Sequence, residues 1–384
     1  MKPRLLVVFG TRPEAIKMAP LVHELKRRAE FETYVCVTAQ HRQMLDQVLE
    51  FFEIRPDFDL DIMRPGQDLF DVTANVMLGL RSILRDVRPD YVFVHGDTTT
   101  CFAASLAAFY ENAKVVHVEA GLRTGNFSAP FPEEMNRCLA ARLAHLHFAP
   151  TQRAAANLLG EGVDPSLINV TGNTVIDALL FAREKIRREY PEQFWKTKLG
   201  ERLHGAMLDS NCKKILITGH RRENFGAGLK RICEAFAELA DQNPDWVLIY
   251  PVHMNPNVAA PVHAMLGNKQ NIYLIEPLEY DAFVWMMEHT DVIVTDSGGI
   301  QEEAPSLGKP VLVTREVTER PEAVEAGTVK LVGTDSALLV RELSLLLSDI
   351  DYYSAMSRNH NPYGDGLAST RISSVVARSL GLEA

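Results

Sequence analysis

Three features that would assign this chain to common classes of protein are absent from its sequence. Its five cysteines form no Cys-x-x-Cys pair, so we expect small buried residues and predict neither disulfides nor a metal site. No block of Lys and Arg occurs and the net charge is −10, which argues against a nucleic-acid partner. No apolar span of about 18 residues occurs, and the first apolar run, 5–9, is too short for a signal peptide. A cytoplasmic protein without a membrane partner is therefore expected.

What the sequence does contain is typical of a globular chain with a large core. Apolar residues make up 46% and charged residues 23% of its 384 residues, and this length predicts two domains. Short runs that are apolar at nearly every position alternate with stretches of helical periodicity, which predicts parallel sheets covered on both faces, a doubly wound α/β fold. The predicted strands are 5–9, 34–38, 91–95, 114–118, 146–148, 214–218, 246–252, 272–275, 291–295, 310–314 and 329–332.

The alternation of strands and helices breaks between residues 173 and 213, a charged and helical stretch without a predicted strand. We place the domain junction near 173–177 and expect about the last twenty residues to form a helix. Two α/β domains in series predict a ligand cleft at the carboxyl ends of both sets of strands, because ligands bind there in this fold class.

The first predicted strand ends in a glycine turn that carries cations. The segment from Gly10 to Glu14 lacks the G-x-G-x-x-G pattern, so a nicotinamide dinucleotide site is not predicted. The turn instead leads into a helix with Arg12 near its start and Lys17 close by, an arrangement that favours an anion. The alternative is that both are solvated surface charges.

Carboxylates occur at three places that we expect to meet at one edge of the predicted first sheet. Asp97 and Glu119 each follow a predicted strand, and the pair Glu133 and Glu134 follows a Pro-rich loop. Such a cluster can supply a general acid and a general base, because neighbouring carboxylates shift each other's pKa values. In the simpler alternatives, Asp97 is only a helix N-cap and one glutamate only complements a helix dipole.

In the second half, polar residues again follow predicted strands. His220 follows the strand 214–218 beside two arginines, which favours a functional over a structural histidine. The segment Ser297, Gly298 and Gly299 follows the strand 291–295, where glycine lets a phosphate approach backbone N–H groups. Glu303, one turn further, is placed to accept hydrogen bonds from ribose hydroxyls.

Long segments of the chain resemble the non-hydrolysing UDP-N-acetylglucosamine 2-epimerases. These segments are GTRPEAIKMAP, TAQHRQMLDQV, VHGDTTT, HVEAGLRTG, PEEMNR, TGNTVIDAL, GHRREN, YPVHMNPNV, TDSGGIQEEAPSLGKPVLV and TERPEAVEAGT. The resemblance implies the glycosyltransferase-B architecture of two Rossmann-like domains, here 1–175 with the C-terminal helix 365–384, and 176–364. It also implies interconversion of UDP-GlcNAc and UDP-ManNAc without NAD or metal.

The resemblance also assigns roles to matching positions. It implies that Asp97, Glu119 and Glu133 are the acid/base trio and that His220 contacts the diphosphate or shuttles a proton. For substrate binding it implies Arg12, Lys17, Phe283 near the uracil, Ser297, Gly298, Gly299, Glu303 at the ribose, and Arg320 at the diphosphate.

Bacterial members of this family also bind a second UDP-GlcNAc as an effector, and they form homodimers. The matching effector positions are Gln40, Gln43, Glu134, Arg222 and His253. Three departures from relatives occur: no basic residue at Gly66, Ser128-Ala129 in place of Tyr-Ser, and Leu278 in place of Gln. The first of these puts the strength of effector binding in doubt, and none falls on the acid/base trio.

Three other functions stay open at this point. A glycosyltransferase of the same fold would need an acceptor pocket and a single base. Three clustered acids are more than this reaction requires. A hydrolysing epimerase would release UDP and free sugar. A nucleotide-sugar sensor would have no use for three carboxylates facing a glycosyl carbon.

Overall fold

The computed structural model describes residues 2–40, 42–358 and 361–382, and the chain forms two compact units. The N-terminal unit consists of residues 1–178 together with 363–384, and the C-terminal unit consists of residues 179–362. The division falls inside one continuous helix, Thr174–Glu189, which also contains the expected junction at 175 and 176. Residues 383 and 384 of the expected C-terminal helix lie outside the described residues.

The N-terminal unit is built on a parallel sheet of seven strands in the order β3-β2-β1-β4-β5-β6-β7. The central strands are buried along nearly their whole length because helices cover both faces of the sheet. The strands are β1 (Arg4–Phe9), β2 (Glu32–Val37), β3 (Phe58–Asp59), β4 (Tyr91–His95), β5 (Lys114–Val118), β6 (Ala144–Ala149) and β7 (Ile168–Val170).

Helices connect these strands and continue into the C-terminal unit. They are α1 (Arg12–Arg27), α2 (Arg42–Phe51), α3 (Leu69–Val87), α4 (Thr99–Tyr110), α5 (Glu133–Leu143), α6 (Gln152–Gly160) and α7 (Thr174–Glu189). Helix α1 starts in a capping box, in which Thr11 and Glu14 each accept a hydrogen bond from the other's backbone N–H.

The C-terminal unit is built on a parallel sheet of six strands in the order β10-β9-β8-β11-β12-β13. The strands are β8 (Lys213–Thr218), β9 (Trp246–Pro251), β10 (Ile272–Ile275), β11 (Val292–Thr295), β12 (Val311–Val313) and β13 (Val329–Leu331). The helices are α8 (Glu192–Leu199), α9 (Glu201–Leu208), α10 (Ala227–Gln242), α11 (Pro256–Leu266), α12 (Tyr280–His289), α13 (Gly298–Glu303), α14 (Pro321–Glu325), α15 (Ser336–Ser348) and α16 (Ile350–Ser357).

The last helix, α17 (Ala368–Ser379), belongs to the N-terminal unit, where it packs on α1. Its first turn is held by Asp177, whose buried carboxylate accepts hydrogen bonds from the backbone N–H groups of Ala368 and Ser369, at 3.2 and 2.7 Å. Ser373 donates a further hydrogen bond to Glu24 of α1.

The predicted doubly wound α/β fold is confirmed, and two short strands escaped prediction. These are β3 and β7, the edge strands of the first sheet, which have two and three residues. Among the described residues, no helix is both long enough and apolar enough to cross a membrane.

Each sheet has a point where the strand order reverses. It lies between β1 and β4 in the first sheet and between β8 and β11 in the second. Ligands of doubly wound sheets bind at the carboxyl ends of the strands next to such a point. The predicted site residues that follow β1, β4, β8 and β11 therefore stand where this fold class binds its ligands.

Candidate functional site

The turn after β1 is tied to the turn after β4 by a buried carboxylate. Glu14 accepts hydrogen bonds from the backbone N–H groups of Gly10 and Thr11, at 2.9 and 2.8 Å, and from the hydroxyl of Thr98, at 2.5 Å. Burial raises the pKa of Glu14, and these hydrogen bonds oppose that effect. A Cβ at Gly10 would lie 1.9 Å from the hydroxyl of Thr38, so only glycine fits this turn. Glu14 thus joins the two loops at the reversal point.

Lys17 reaches the acid cluster instead of standing at the surface. Its ammonium group forms an ion pair with Glu119, and the two side chains are 11% and 8% exposed. Glu119 also accepts a hydrogen bond from the side-chain amide of Asn173, at 2.8 Å. The reading of Lys17 as a solvated surface charge is therefore wrong, whereas its predicted phosphate contact stays a prediction. Arg12 is the half-buried first residue of α1.

Glu119 leaves β5 in a left-handed backbone conformation, with φ of 59°, which is uncommon for a residue with a side chain. His95, at the end of β4, lies 3.8 Å from the Glu119 carboxylate. Burial lowers the pKa of His95 to about 4, so this histidine is neutral at physiological pH. The left-handed turn and its neighbours hold the Glu119 carboxylate at the carboxyl end of the sheet.

Asp97 is not the N-cap of α4. That position is taken by Thr98, whose hydroxyl accepts a hydrogen bond from the N–H of Cys101, so the simpler reading of Asp97 is wrong. The Asp97 carboxylate instead forms an ion pair with Arg137, at 2.6 Å, and the Asp97 side chain is 29% exposed. Its backbone carbonyl accepts a hydrogen bond from Asn136. The Asp97 side chain therefore does not cap α4 and instead contacts a cation.

The three predicted acids lie within electrostatic range of one another. Burial is the largest effect on Asp97 and raises its pKa; Arg137 lowers it, while the charges of Glu119 and Glu133 raise it. Glu133 is the half-buried first residue of α5, one turn before Arg137. The structure thus brings together Asp97, Glu119 and Glu133, together with the two cations Lys17 and Arg137.

Glu134 performs a structural task next to this cluster. Its carboxylate accepts hydrogen bonds from the N–H groups of Thr124 and Gly125, both at 2.9 Å, and it is buried. Its second oxygen lies 3.4 Å from the Arg137 guanidinium. Arg137 therefore faces both Asp97 and Glu134.

Three residues of this site received no role from the sequence, although they lie in quoted segments. They are His95 in VHGDTTT, Arg137 in PEEMNR and Asn173 in TGNTVIDAL. Arg137 carries a detectable signal, because it lies four residues after Glu133 and therefore on the same face of α5.

In the C-terminal unit, a buried aspartate holds His220. Asp296, which follows β11, accepts hydrogen bonds from the N–H groups of His220 and Arg221, both at 2.8 Å. Its other oxygen lies 3.3 Å from Nδ1 of His220, and the His220 side chain is 44% exposed. Burial lowers the pKa of His220, and the Asp296 charge opposes this. Asp296 therefore positions His220, a role that sequence reasoning missed.

His220 also contacts a residue from the predicted effector set. Its ring stacks on that of His253, with 5.6 Å between centroids and 18° between planes. Arg222 is exposed in the same loop as His220. In the N-terminal unit, Gln40 accepts a hydrogen bond from Thr100, at 3.3 Å, and Gln43 is exposed on α2.

The glycine turn after β11 lies against a cluster of charges. Arg320 donates a hydrogen bond to the buried Glu302, at 2.8 Å, and pairs with Glu319, at 2.9 Å. A Cβ at Gly298 would lie 2.9 Å from the Arg320 guanidinium carbon, whereas one at Gly299 would meet its nearest neighbour at 3.8 Å. Gly298 therefore permits the close approach of Arg320.

The remaining predicted residues of the C-terminal unit lie on or next to two helices. Ser297 directly precedes α13, and Glu303 is the buried last residue of that helix. Phe283 is half-buried on α12. Their predicted contacts with phosphate, ribose and uracil stay predictions.

On the nucleotide-binding role that the resemblance implies for this turn, we expect Gly298→Ala to raise the KM for a nucleotide substrate about tenfold, the size of one weakened charged hydrogen bond. The added methyl group displaces Arg320 from Glu302 and Glu319. Steady-state kinetics of Gly298→Ala beside Gly299→Ala measures the effect, and Gly299→Ala should raise KM clearly less. Equal KM values for the two variants would show that the contact with Arg320 is not the cause.

Comparison with known proteins relates nearly the whole chain to one family. A family model described as UDP-N-acetylglucosamine 2-epimerase matches residues 23–377. The UDP-N-acetylglucosamine 2-epimerases of Salmonella typhimurium and Escherichia coli are each 57% identical to this chain, over 96% of it and 97% of each relative. A crystal structure of UDP-GlcNAc 2-epimerase from Neisseria meningitidis bound to UDP-GlcNAc is 50% identical, with a TM-score of 0.89 over 98% of this chain and 100% of that one. These similarities confirm the fold class of two Rossmann-like domains.

Proposed function

The chain belongs to the UDP-N-acetylglucosamine 2-epimerase family and is an isomerase, and we propose that it interconverts UDP-GlcNAc and UDP-ManNAc without releasing UDP or free sugar. The observation that carries the proposal is the cluster of Asp97, Glu119 and Glu133 with Lys17 and Arg137 at the carboxyl ends of β4 and β5. The cluster combines proton-transfer groups with cations, and inversion at C2 requires both.

The hydrogen on C2 of GlcNAc has no adjacent carbonyl, so a base cannot simply remove it. When the bond between C1 and the diphosphate oxygen breaks, positive character at C1 acidifies this hydrogen. A base then takes the proton, the electron pair forms the C1=C2 double bond of 2-acetamidoglucal, and UDP carries away the electrons of the broken bond. In the return step a proton is delivered to the opposite face of C2, and the UDP oxygen adds back to C1.

The residues of the N-terminal unit suit the two proton transfers. The ion pair with Lys17 and the hydrogen bond from Asn173 both stabilise Glu119 as a carboxylate. At Asp97, burial raises the pKa of the carboxyl group against the opposing effect of Arg137. Groups of this kind are effective general acids and bases.

The residues of the C-terminal unit suit the nucleotide. Arg320 beside Gly298 supplies a cation at the glycine turn, which favours a diphosphate. His220, held by Asp296, offers a side chain that is 44% exposed for a phosphate oxygen or a proton. Departure and return of UDP require that the diphosphate stay bound while C2 is inverted.

Incubation with UDP-GlcNAc in D₂O, followed by NMR at C2, tests this mechanism. We expect deuterium at C2 of both epimers, because the proton removed by the base exchanges with solvent before the glucal is reprotonated. Little free UDP or free ManNAc should accumulate. Epimerisation with protium retained at C2 would contradict the proton-exchange mechanism.

The same experiment separates the other functions. Steady accumulation of UDP and ManNAc would identify a hydrolysing epimerase. Turnover only after an acceptor sugar is added would identify a glycosyltransferase. Binding of UDP-GlcNAc without exchange at C2 would identify a sensor.

We further propose that the protein is a homodimer whose product supplies ManNAc units for cell-surface polysaccharide. Helices α3 and α4 support a self-association surface, because they expose the large apolar residues Phe70 (85%), Leu78 (58%) and Tyr110 (64%). Binding of UDP-GlcNAc as an effector to Gln40, Gln43, Glu134, Arg222 and His253 rests on the family resemblance. The stacking of His253 on His220 supports it.

A further inference from the structure

Gly96, the residue between β4 and Asp97, is held by β5 at both of its backbone polar groups. Its N–H donates a hydrogen bond to the carbonyl of Val118, at 2.9 Å, and its carbonyl accepts one from Nε2 of His117, at 2.7 Å. Gly96 has a φ of 63°, so this turn is left-handed. The thiol of Cys101 also approaches the Gly96 carbonyl, at 3.4 Å, but a thiol is a weak donor.

The hydrogen bond to Gly96 determines which tautomer His117 adopts. A carbonyl oxygen can only accept, so Nε2 of His117 carries the proton. His117 is fully buried, and its Nδ1 has no hydrogen-bond partner in the described part of the chain. Burial lowers the pKa of His117 to about 3, which keeps the ring neutral. A buried nitrogen without a partner costs stability, so an apolar residue would suit the core better unless the Nε2 donor is needed.

The two hydrogen bonds join the segments that carry two of the acids. Gly96 directly precedes Asp97, and His117 and Val118 directly precede Glu119. We propose that His117 is a positioning residue, which fixes the separation of the Asp97 and Glu119 carboxylates through the Gly96 carbonyl. This inference rests on the proposed function, in which both carboxylates take part in proton transfer.

His147 provides a matched control for His117. The two residues are register partners on the adjacent parallel strands β5 and β6, and both are buried. Nδ1 of His147 likewise has no hydrogen-bond partner among the described residues, and burial lowers its pKa to about 4. His147 differs in that, among the described residues, its ring has no hydrogen bond to Gly96 and no ion pair with an acid of the cluster.

The test compares four variants of the full-length enzyme: His117→Met, His117→Gln, His117→Asn and His147→Met. We expect His117→Met to lower kcat about 10²-fold with the KM for UDP-GlcNAc within about twofold, since misplacement of a catalytic group has effects of this size. His117→Gln should recover most of kcat, because its amide nitrogen can reach the position of Nε2. The Asn amide is too short to do so, and His117→Asn should stay slow.

His147→Met should lose thermal stability to an extent similar to His117→Met yet keep kcat. Equal kcat for the two Met variants would overturn the inference, as would equal kcat for His117→Gln and His117→Asn. If a Met variant does not fold, the comparison of Gln with Asn decides alone. Failure of the proposed function is recognised separately, because Asp97→Asn and Glu119→Gln would then keep near-normal turnover.

Discussion

Asp97→Asn is expected to lower kcat about 10²–10⁴-fold, the usual contribution of a general acid or base. The substitution keeps the shape of the side chain, but an amide can neither take up nor release the proton. It also replaces the carboxylate that lies 2.6 Å from the Arg137 guanidinium with an uncharged amide. UDP should bind to the variant with nearly unchanged affinity, since the residues proposed to bind the nucleotide are mainly in the C-terminal unit.

The measurement combines steady-state kinetics with calorimetric titration of UDP. Asp86→Asn, on the exposed side of α3, removes the same charge from the unit and should leave kcat unchanged. An Asp97→Asn enzyme with kcat close to that of the parent would remove Asp97 from the acid/base trio. A loss of UDP affinity together with a lower kcat would indicate that the variant is misfolded.

Lys17→Met is expected to impair both stability and turnover. It leaves the largely buried Glu119 carboxylate without its ammonium partner, and loss of one member of a fully buried ion pair costs about 3–5 kcal/mol in the free energy of unfolding, which is the upper bound here. Turnover should fall by at least about 10²-fold, because the environment of a proton-transfer group changes. Urea unfolding monitored by circular dichroism measures the first effect.

The pH dependence of Lys17→Met has a definite sign. Without Lys17 the ionised form of folded Glu119 loses a stabilising charge, so folded Glu119 of the variant binds a proton more readily than folded Glu119 of the parent. The stability deficit of the variant relative to the parent is therefore largest at neutral pH and shrinks as the pH falls. A deficit independent of pH would show that packing of the Lys17 stem, and not its charge, is lost.

The double variant Lys17→Met with Glu119→Gln completes the cycle. Its stability should exceed that of Lys17→Met alone because no uncompensated charge is left buried, whereas its turnover should stay low because the carboxylate is missing. If the double variant is no more stable than Lys17→Met, the ion pair does not account for the stability of this region.

The fold was predictable because its strands are apolar at nearly every position, as β1 and β4 illustrate. The two strands that escaped prediction lie at the edges of the first sheet. β3 has only two residues, one of them Asp59, and β7 contains Asn169, so neither forms an apolar run. Their pairing depends on neighbouring strands and leaves little trace in local sequence.

The positions of the acids were predictable because carboxyl ends of parallel strands meet at one edge, but their partners were not. Lys17 and Glu119 are 102 residues apart in the sequence. They meet only because of how α1 packs against the sheet. The same holds for Asp296 and His220, which are brought together by the pairing of β8 with β11. Sequence spacing predicts which residues share one face of a helix, but it does not predict which residues meet across a sheet.

The membership of α17 in the N-terminal unit has a consequence for biosynthesis. Ribosomes deliver the chain from its N-terminus, and domains commonly fold as they emerge. Here the carboxylate of Asp177 and the surface of α1 obtain their partners only when Ala368, Ser369 and Ser373 have been made. The whole C-terminal unit is therefore synthesised while the N-terminal unit is still incomplete, and the unit that carries the acids is the last to be finished.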